Sequence, residues 1–557
     1  MLERWLPGLK PILESTGEDK RKDITAGIIV AIMLIPQGMA YAMLAGMPPV
    51  SGLYAATLPL IIYALFGTSR QLAVGPVAMV SLLIFSGVSP LVEPGTESYI
   101  QHVWLLALMV AVIQWLMGVF KLGVITKFIS HAVISGFTSA AAVLIALSQL
   151  DHLLGFSIEA SDNVFLIIYE AVMRAAETHI MTLILGLMLL FILLGAKRVP
   201  RIPAPLAAVV IGIGVTYMLN LPEAGVEIVG DVPSGLPPLS LPVIDLAVIT
   251  ALLPSAITIS IIGYAESYAM AKILASRDKY RIEPNHELKG LGLANGAAAF
   301  TSGMPVTGGF SRSAVNYDSG AKTGLASIVT AVLILLTLLF LTPVFYYLPQ
   351  AALAAIILAA VYKLIDVKEA VHLWKVKRSD AYVLIITFTA TLMFGIELGL
   401  LIGVLFSLTV YLWKSGNPHM TELRYVEDED IYRNPDRFPD GKAIPGVLIY
   451  RIDAPLYFAN ATGVEERLNE ALKEHRDIKW LVLDFSGVND MDGIAADELR
   501  EWMQEWNNQG VRILIAEAIG PVRDVLELDG FYDTFGHDVA WKDLHHAVHW
   551  IQSGIKA

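Results

Sequence analysis

The residues able to do chemistry in this chain sit where charge is costly. Arg312 falls in Pro305-Val306-Thr307-Gly308-Gly309-Phe310-Ser311-Arg312-Ser313, within a long apolar region. A charge at the centre of a membrane-spanning helix costs about 2.5–3.5 kcal/mol on insertion scales. This one falls in the first turn of a predicted helix, where the helix dipole also disfavours a cation. Something negative must compensate it, either a bound anion or a fixed carboxylate. Glu266, in Ser260-Ile261-Ile262-Gly263-Tyr264-Ala265-Glu266-Ser267-Tyr268, is an acid toward the C-terminal part of an apolar span that begins near Leu246. An intramembrane carboxylate is a functional candidate, here as a carrier of a proton or a ligand of a hard cation. Its structural alternatives are a salt bridge with Arg312 or an interfacial place near Lys272. Glu397, between two apolar runs, is read as lying at a loop between spans; His131 and His102 fall near span ends and receive no role.

Two broken segments would position these groups. Leu72-Ala73-Val74-Gly75-Pro76-Val77-Ala78-Met79-Val80-Ser81 and the run containing Arg312 share one pattern: a short extended stretch, a Gly-containing break, then a helix start. Irregular backbone is tolerated at membrane depth only where protein buries it or it lines a water-filled cavity. Paired interrupted segments in the two halves of a transporter point to its substrate site. Helix N-termini offer free N–H groups and partial positive charge, so two of them facing each other make an anion site. The bland alternative is that Gly75-Pro76 and Gly308-Gly309 are kinks or close-packing points.

The elements around them are set by composition. Of 557 residues, 55% are hydrophobic and only 16% charged, with a mean hydropathy of +0.60. A soluble domain carries about a quarter charged residues, so the deficit of charge points to lipid. Apolar stretches recur over 24–47, 51–66, 103–120, 132–150, 181–196, 206–221, 246–271, 326–348 and 382–412, the last long enough for two passes. Shorter pieces fall at 72–88, 290–300 and 309–320, giving 12 to 14 membrane elements in all. The first apolar run is too long for a cleavable signal, and no A-x-A-like site closes it. Lys10, Lys20, Arg21 and Lys22 before that run place the N-terminus on the cytoplasmic side, and an even number of spans places the tail there too.

The tail is a different kind of sequence. Residues 416–557 hold 14 Lys+Arg against 27 Asp+Glu, the whole of the net charge of −13, and residues 1–415 hold 25 of each sign. Strands predicted over 447–458, 478–485 and 511–517 alternate with helices over 463–475 and 494–507, which argues for a small α/β module. Residues 427–441, rich in Asp, Asn and Pro, are a linker or a loop before the first strand. Zero cysteines exclude disulfides, thiolate metal sites and a cysteine nucleophile. The acidic balance argues against nucleic acid, and no G-x-x-x-x-G-K-[ST] loop is present to cradle a nucleotide. The chain is therefore read as not an enzyme, with no metal and no cofactor, and with transport driven by gradients.

Several motifs resemble the SulP anion transporter family of sulfate permeases and prestin. They are Pro36-Gln37-Gly38-Met39-Ala40-Tyr41-Ala42, Pro49-Val50-Ser51-Gly52-Leu53-Tyr54, Phe66-Gly67-Thr68-Ser69-Arg70, Gly75-Pro76, Asn285-His286-Glu287-Leu288 and Gly309-Phe310-Ser311-Arg312-Ser313-Ala314-Val315-Asn316. Val482-Leu483-Asp484-Phe485-Ser486 and Met491-Asp492-Gly493 are similar to the STAS module that closes such chains. The resemblance implies an α-helical polytopic membrane protein of 14 transmembrane segments as 7+7 inverted repeats, in core and gate domains, with a small cytoplasmic α/β STAS domain. The divisions expected are a cytoplasmic segment 1–22, a transport domain 23–415, a linker 416–443 and the STAS domain 444–557. Carried over by motif, the substrate site comprises Gln37, Tyr41, Val77, Ala78, Phe310, Ser311 and Arg312, with backbone N–H groups of Val77, Ala78 and Ser311 as direct donors. Glu266 takes the position of the coupling site for a proton or sodium ion.

The resemblance further implies a homodimer in the cell membrane, with a possible cytosolic partner for the STAS domain. Stand-alone STAS antagonists carry a phosphorylated Ser after the Asp at their strand-to-helix turn; Gly493 follows Asp492 here, which excludes phosphorylation at that position. Function is read as secondary transport of a small inorganic or organic anion of the sulfate, bicarbonate or dicarboxylate class. Proton- or sodium-coupled symport by elevator-like alternating access is the favoured mode. An uncoupled anion channel or exchanger on the same pocket is the alternative; a membrane-anchored signalling protein and a nucleobase/cation symporter are the more distant ones.

Overall fold

A computed structural model of the chain describes residues 6–127, 130–158, 164–195, 204–475 and 477–555. Residue 196, residues 1–5 of the N-terminal segment, and residues 476, 556 and 557 of the C-terminal domain lie outside these. The chain forms two compact units, Met1–Ser407 and Leu408–Ala557.

Among the described residues the first unit, with the helix that leaves it, holds fourteen segments. They are Gly17–Leu44, Pro49–Phe66, a third ending in Ala78–Val88, Glu97–Val119, His131–Leu154, Ile180–Gly195, Ala204–Met218, Leu246–Arg277, Pro284–Phe300, a tenth ending in Phe310–Asp318, Leu325–Phe340, Gln350–Val361, Arg378–Phe394 and Ile396–Gly416. Local signals set many of the ends. Thr16 and Asp19 close a reciprocal capping box at the first segment, and prolines open the second and ninth. The apolar stretch 382–412 resolves into two helices because Gly395, at φ +82°, turns the chain between them.

The third and tenth segments end in the shortest of these helices. The 11 residues of Ala78–Val88 and 9 of Phe310–Asp318 span only about 14–17 Å at 1.5 Å per residue, half of a hydrocarbon core of about 30 Å. Extended backbone supplies the other half of each. Their strands Val74–Gly75 and Thr307–Gly308 pair antiparallel, Val74 with Gly308 and Gly75 with Thr307, which satisfies buried backbone groups where no water is available.

Packing separates a core from a gate. The ninth segment lies on the fourth and second, the eighth on the fourth, and the eleventh and tenth on the first; the thirteenth lies on the fifth, and the sixth on the twelfth and seventh. The first two segments cross where a Cβ on Gly52 would lie 1.8 Å from the Gly38 carbonyl oxygen. That contact gives the Gln37-Gly38 and Ser51-Gly52 motifs a packing role.

In the second unit a five-stranded sheet runs in the order Met420–Glu422, Val447–Ile452, Trp480–Asp484, Arg512–Ala516, Ala540–Trp541, with the first pair antiparallel and the rest parallel. Leu448, Ile452, Leu481, Leu483, Ile513 and Ile515 face the helices Ala461–Glu474 and Gly493–Asn508. Val447, Ile449, Val482 and Leu514 face Leu544–Ile555. Two covered faces explain why the central strand reads as a continuous apolar run. Within 416–443, residues Met420–Glu422 form the edge strand, and Arg424–Val426 pairs with Ile431–Arg433 as a hairpin. Asp492 caps the helix at Gly493, accepting from the amides of Ala495 at 2.8 Å and Phe458 at 3.0 Å.

Candidate substrate site

The site grows from the paired strands. Gly309 N donates to the Ala73 carbonyl at 3.1 Å, Ala73 N to Ser313 Oγ at 2.9 Å, and Asn316 Nδ2 to the Gln71 carbonyl at 2.9 Å. Arg312, Ser313 and Asn316 thus form the buried face of the tenth-segment helix and grip the extended run of the third. Neither half-helix has a side-chain cap; Val77 and Gly309 stand at the N-cap positions. Both helices therefore begin at this point with their first amides unclaimed by side chains.

Arg312 lies across the junction, 2% exposed. Its Nη1 donates to the Pro76 carbonyl at 2.6 Å, while Nε and Nη2 are buried without a protein partner. Two glycines make room for it: a Cβ on Gly75 would lie 3.3 Å from Nη2, and one on Gly309 2.9 Å from the same atom. Gly75 also holds φ +154°, which side chains rarely adopt. The ionisable groups within electrostatic reach of the guanidinium are Tyr41 and Glu266. No salt bridge joins Arg312 to Glu266, whose Oε2 is itself buried without a partner.

Glu266 is held by its neighbour in sequence. Ser267 Oγ hydrogen-bonds Thr307 Oγ1 at 2.6 Å and accepts from Gly308 N at 2.8 Å, and Thr307 Oγ1 donates to the Gly263 carbonyl at 2.6 Å. The eighth segment is thereby bound to the strand before the tenth-segment helix. Glu266 stands 11 residues before the helix end at Arg277, about 16 Å along the axis, well inside the span and away from an interfacial position.

The sequence-derived residues fall around this junction unequally. Gln37, Tyr41, Val77 and Ala78 are buried at 6–7% exposure, whereas Phe310 is 39% exposed and Ser311 is also exposed. Glu397 corrects its reading as a loop residue. It sits in the first turn of the fourteenth segment and accepts a hydrogen bond from Ser255 Oγ of the eighth.

Sequence reasoning missed a second polar centre. Glu287, fully buried, accepts from Tyr63 Oη at 2.5 Å, Thr68 Oγ1 at 2.5 Å, Thr68 N at 2.6 Å and Ser69 N at 3.1 Å. Its place in Asn285-His286-Glu287-Leu288 and that of Thr68-Ser69 in their own motif were visible, but nothing local paired the two. Asn295 is a similar node, bonding Gln114 Oε1 at 3.0 Å and both the N–H and carbonyl of Val306.

Two opposed half-helices around a buried arginine, carried on a fourteen-segment core and gate, define a membrane anion transporter. The sulfate permease family model matches residues 21–387, and the STAS domain model matches residues 439–547. The chain belongs to the sulfate permease family. Probable sulfate transporter 4.2 of Arabidopsis thaliana is 41% identical over 546 residues, covering 94% of this chain and 80% of that protein. Sulfate transporter 4.1, chloroplastic, of the same organism is 40% identical, covering 94% and 79%. The structure is similar to that of murine Solute Carrier 26 family member A9 anion transporter in the inward-facing state, with a TM-score of 0.89 and 25% identity over 99% of this chain and 94% of that one. The transmembrane domain of the cyanobacterial bicarbonate transporter BicA shares the fold at a TM-score of 0.62 and 22% identity, covering 71% and 98%.

Proposed function

We propose that this protein is a proton- or sodium-coupled secondary transporter of a small oxyanion, with sulfate as the first candidate, working by elevator-like alternating access. The observation that carries the reading is Arg312: a buried guanidinium with Nε and Nη2 unpartnered, where two uncapped helices begin. A buried cation left with free donors is expensive. A tetrahedral or planar oxyanion bridging those nitrogens and the amides of Val77, Ala78 and Ser311 satisfies all of them at once. Gln37 and Tyr41 from the first segment and Phe310 from the tenth close the pocket. Glu266, tied to the same strand through Ser267, binds the coupling ion, so that loading the pocket and charging the acid are sensed by one rigid unit.

The names of the plant relatives favour sulfate; bicarbonate and dicarboxylates belong to the same chemical class. The reading places a transport domain at 23–415 and a STAS domain at 444–557 after a connecting segment at 416–443, which also lends the edge strand Met420–Glu422 to the sheet. It sets both termini in the cytoplasm of a cell-membrane homodimer, with the STAS domain free to take a cytosolic partner. Uptake of labelled sulfate, bicarbonate, fumarate, oxalate and uracil into proteoliposomes, with and without inward proton or sodium gradients, tests it. Accumulation of one anion under one gradient is expected. Large chloride currents without accumulation would replace it with the uncoupled channel.

A further inference from the structure

We propose that the outer face of the core binds one anionic phospholipid, with an acyl chain in a groove between the second, fourth and ninth segments and the phosphate at Lys121 and Lys289. The groove is a cavity of about 650 Å³ walled by Phe66, Trp115, Leu116 and Phe300, with Ala111 and Gly296 among the small residues that line it. Its lining side chains are all apolar, and Trp115 and Phe300 are 42% and 41% exposed on spanning helices. At that depth a hydrocarbon chain is the occupant that leaves no polar group unsatisfied.

The charge at one end of the groove selects the kind of lipid. A Cβ on Gly118 would lie 2.8 Å from Lys289 Cγ, so the lysine stem rests on the fourth segment one turn from Gly292 of the groove. Helical side chains lean toward the helix N-terminus, and the ninth segment begins at Pro284. Its ammonium is therefore carried to the membrane face where Lys121 follows the end of the fourth segment. Gly123 N donates to Asn285 Oδ1 at 3.0 Å and holds that turn against the start of the ninth segment. Among the described residues neither lysine has an ion-pair partner. Of the acids in the neighbouring sequence, Glu287 is committed to the Thr68 turn, and Glu283 lies 3.6 Å from His286 Nδ1 rather than at either lysine. Two ammonium groups without ion-pair partners at one end of an apolar groove complement a phospholipid of net negative charge better than a zwitterionic one.

The test is native mass spectrometry of the full-length protein titrated with phosphatidylglycerol and with phosphatidylcholine of the same chains. Preferential retention of phosphatidylglycerol is expected. Combining Lys121→Asn, whose φ of +60° asparagine tolerates, with Lys289→Gln should weaken phosphatidylglycerol about 25-fold, from about five-fold per lysine, and weaken the zwitterionic phosphatidylcholine far less. Gly296→Leu, where an added Cβ meets nothing closer than 3.7 Å, should fill the groove and weaken both lipids. Equal retention of the two lipids, or a lysine double variant that binds phosphatidylglycerol as the parent does, would overturn the proposal. A change of oligomeric mass in the Gly296→Leu variant would overturn it in favour of an interface between copies of the chain. The lysine variants leave core packing untouched, so this test does not depend on Gly296→Leu folding.

Discussion

Arg312 commits one nitrogen to Pro76 and leaves two for something else, so it both holds the third segment and offers donors to an anion. Arg312→Ala should weaken anion binding roughly 10- to 100-fold, the loss of a charge-assisted contact of about 1.5–3 kcal/mol. Arg312→Lys should recover only part of this, because a single ammonium cannot reproduce the planar fork. Calorimetric titration with sulfate reads both; unchanged affinity in the alanine variant would leave the helix ends as the whole of the site. Glu266 has no hydrogen-bond partner at Oε2, and Glu266→Gln keeps its shape while removing its titration. Acceleration of uptake by an inward proton gradient should vanish in that variant while anion-for-anion exchange persists. Retained acceleration would move coupling elsewhere.

At the scale of elements, the half-helices work because other elements hold their extended approaches in place. Glu287 anchors the turn after the second segment, from which the extended run of the third departs, through four accepted hydrogen bonds. Glu287→Gln removes the charge that strengthens those bonds and should cost about 1.5–3 kcal/mol. It should appear as a lowered thermal unfolding midpoint with an unaltered KM in the folded fraction. A KM that rises with no change in midpoint would mean that Glu287 acts on the substrate site itself.

At the scale of the molecule, transport by alternating access requires the core to move against the gate. Ser255 of the eighth segment, which packs on the fourth, and Glu397 of the fourteenth, which packs through Gly399 and Gly403 on the thirteenth, meet across that division. The chain has no cysteine, so Ser255→Cys with Glu397→Cys introduces a clean pair. Joining them with a short bis-methanethiosulfonate linker, which forms a disulfide at each thiol with loss of methanesulfinate, should stop uptake, and reduction of those disulfides should restore it. Full activity of the cross-linked protein would show that these two segments travel together and that the moving boundary lies elsewhere.

Features governed by local composition and local backbone preference were legible in the sequence alone. The neutral apolar part and the acidic tail, the spans, the alternation of strand and helix after residue 447, and the breaks at Gly75-Pro76 and Gly308-Gly309 each depend on neighbours no farther away than about one span length of twenty residues. So does the anomaly of a cation in the first turn of a buried helix. Long-range packing settled the remainder. The pairing of Val74 with Gly308, the choice of the Pro76 carbonyl over Glu266 as the partner of Arg312, the burial of Glu287 against Thr68 and the contact of Ser255 with Glu397 join residues more than 140 positions apart. Such bonds are fixed by which helices pack together in a medium without water, where each buried polar group must find a partner that its own segment cannot supply.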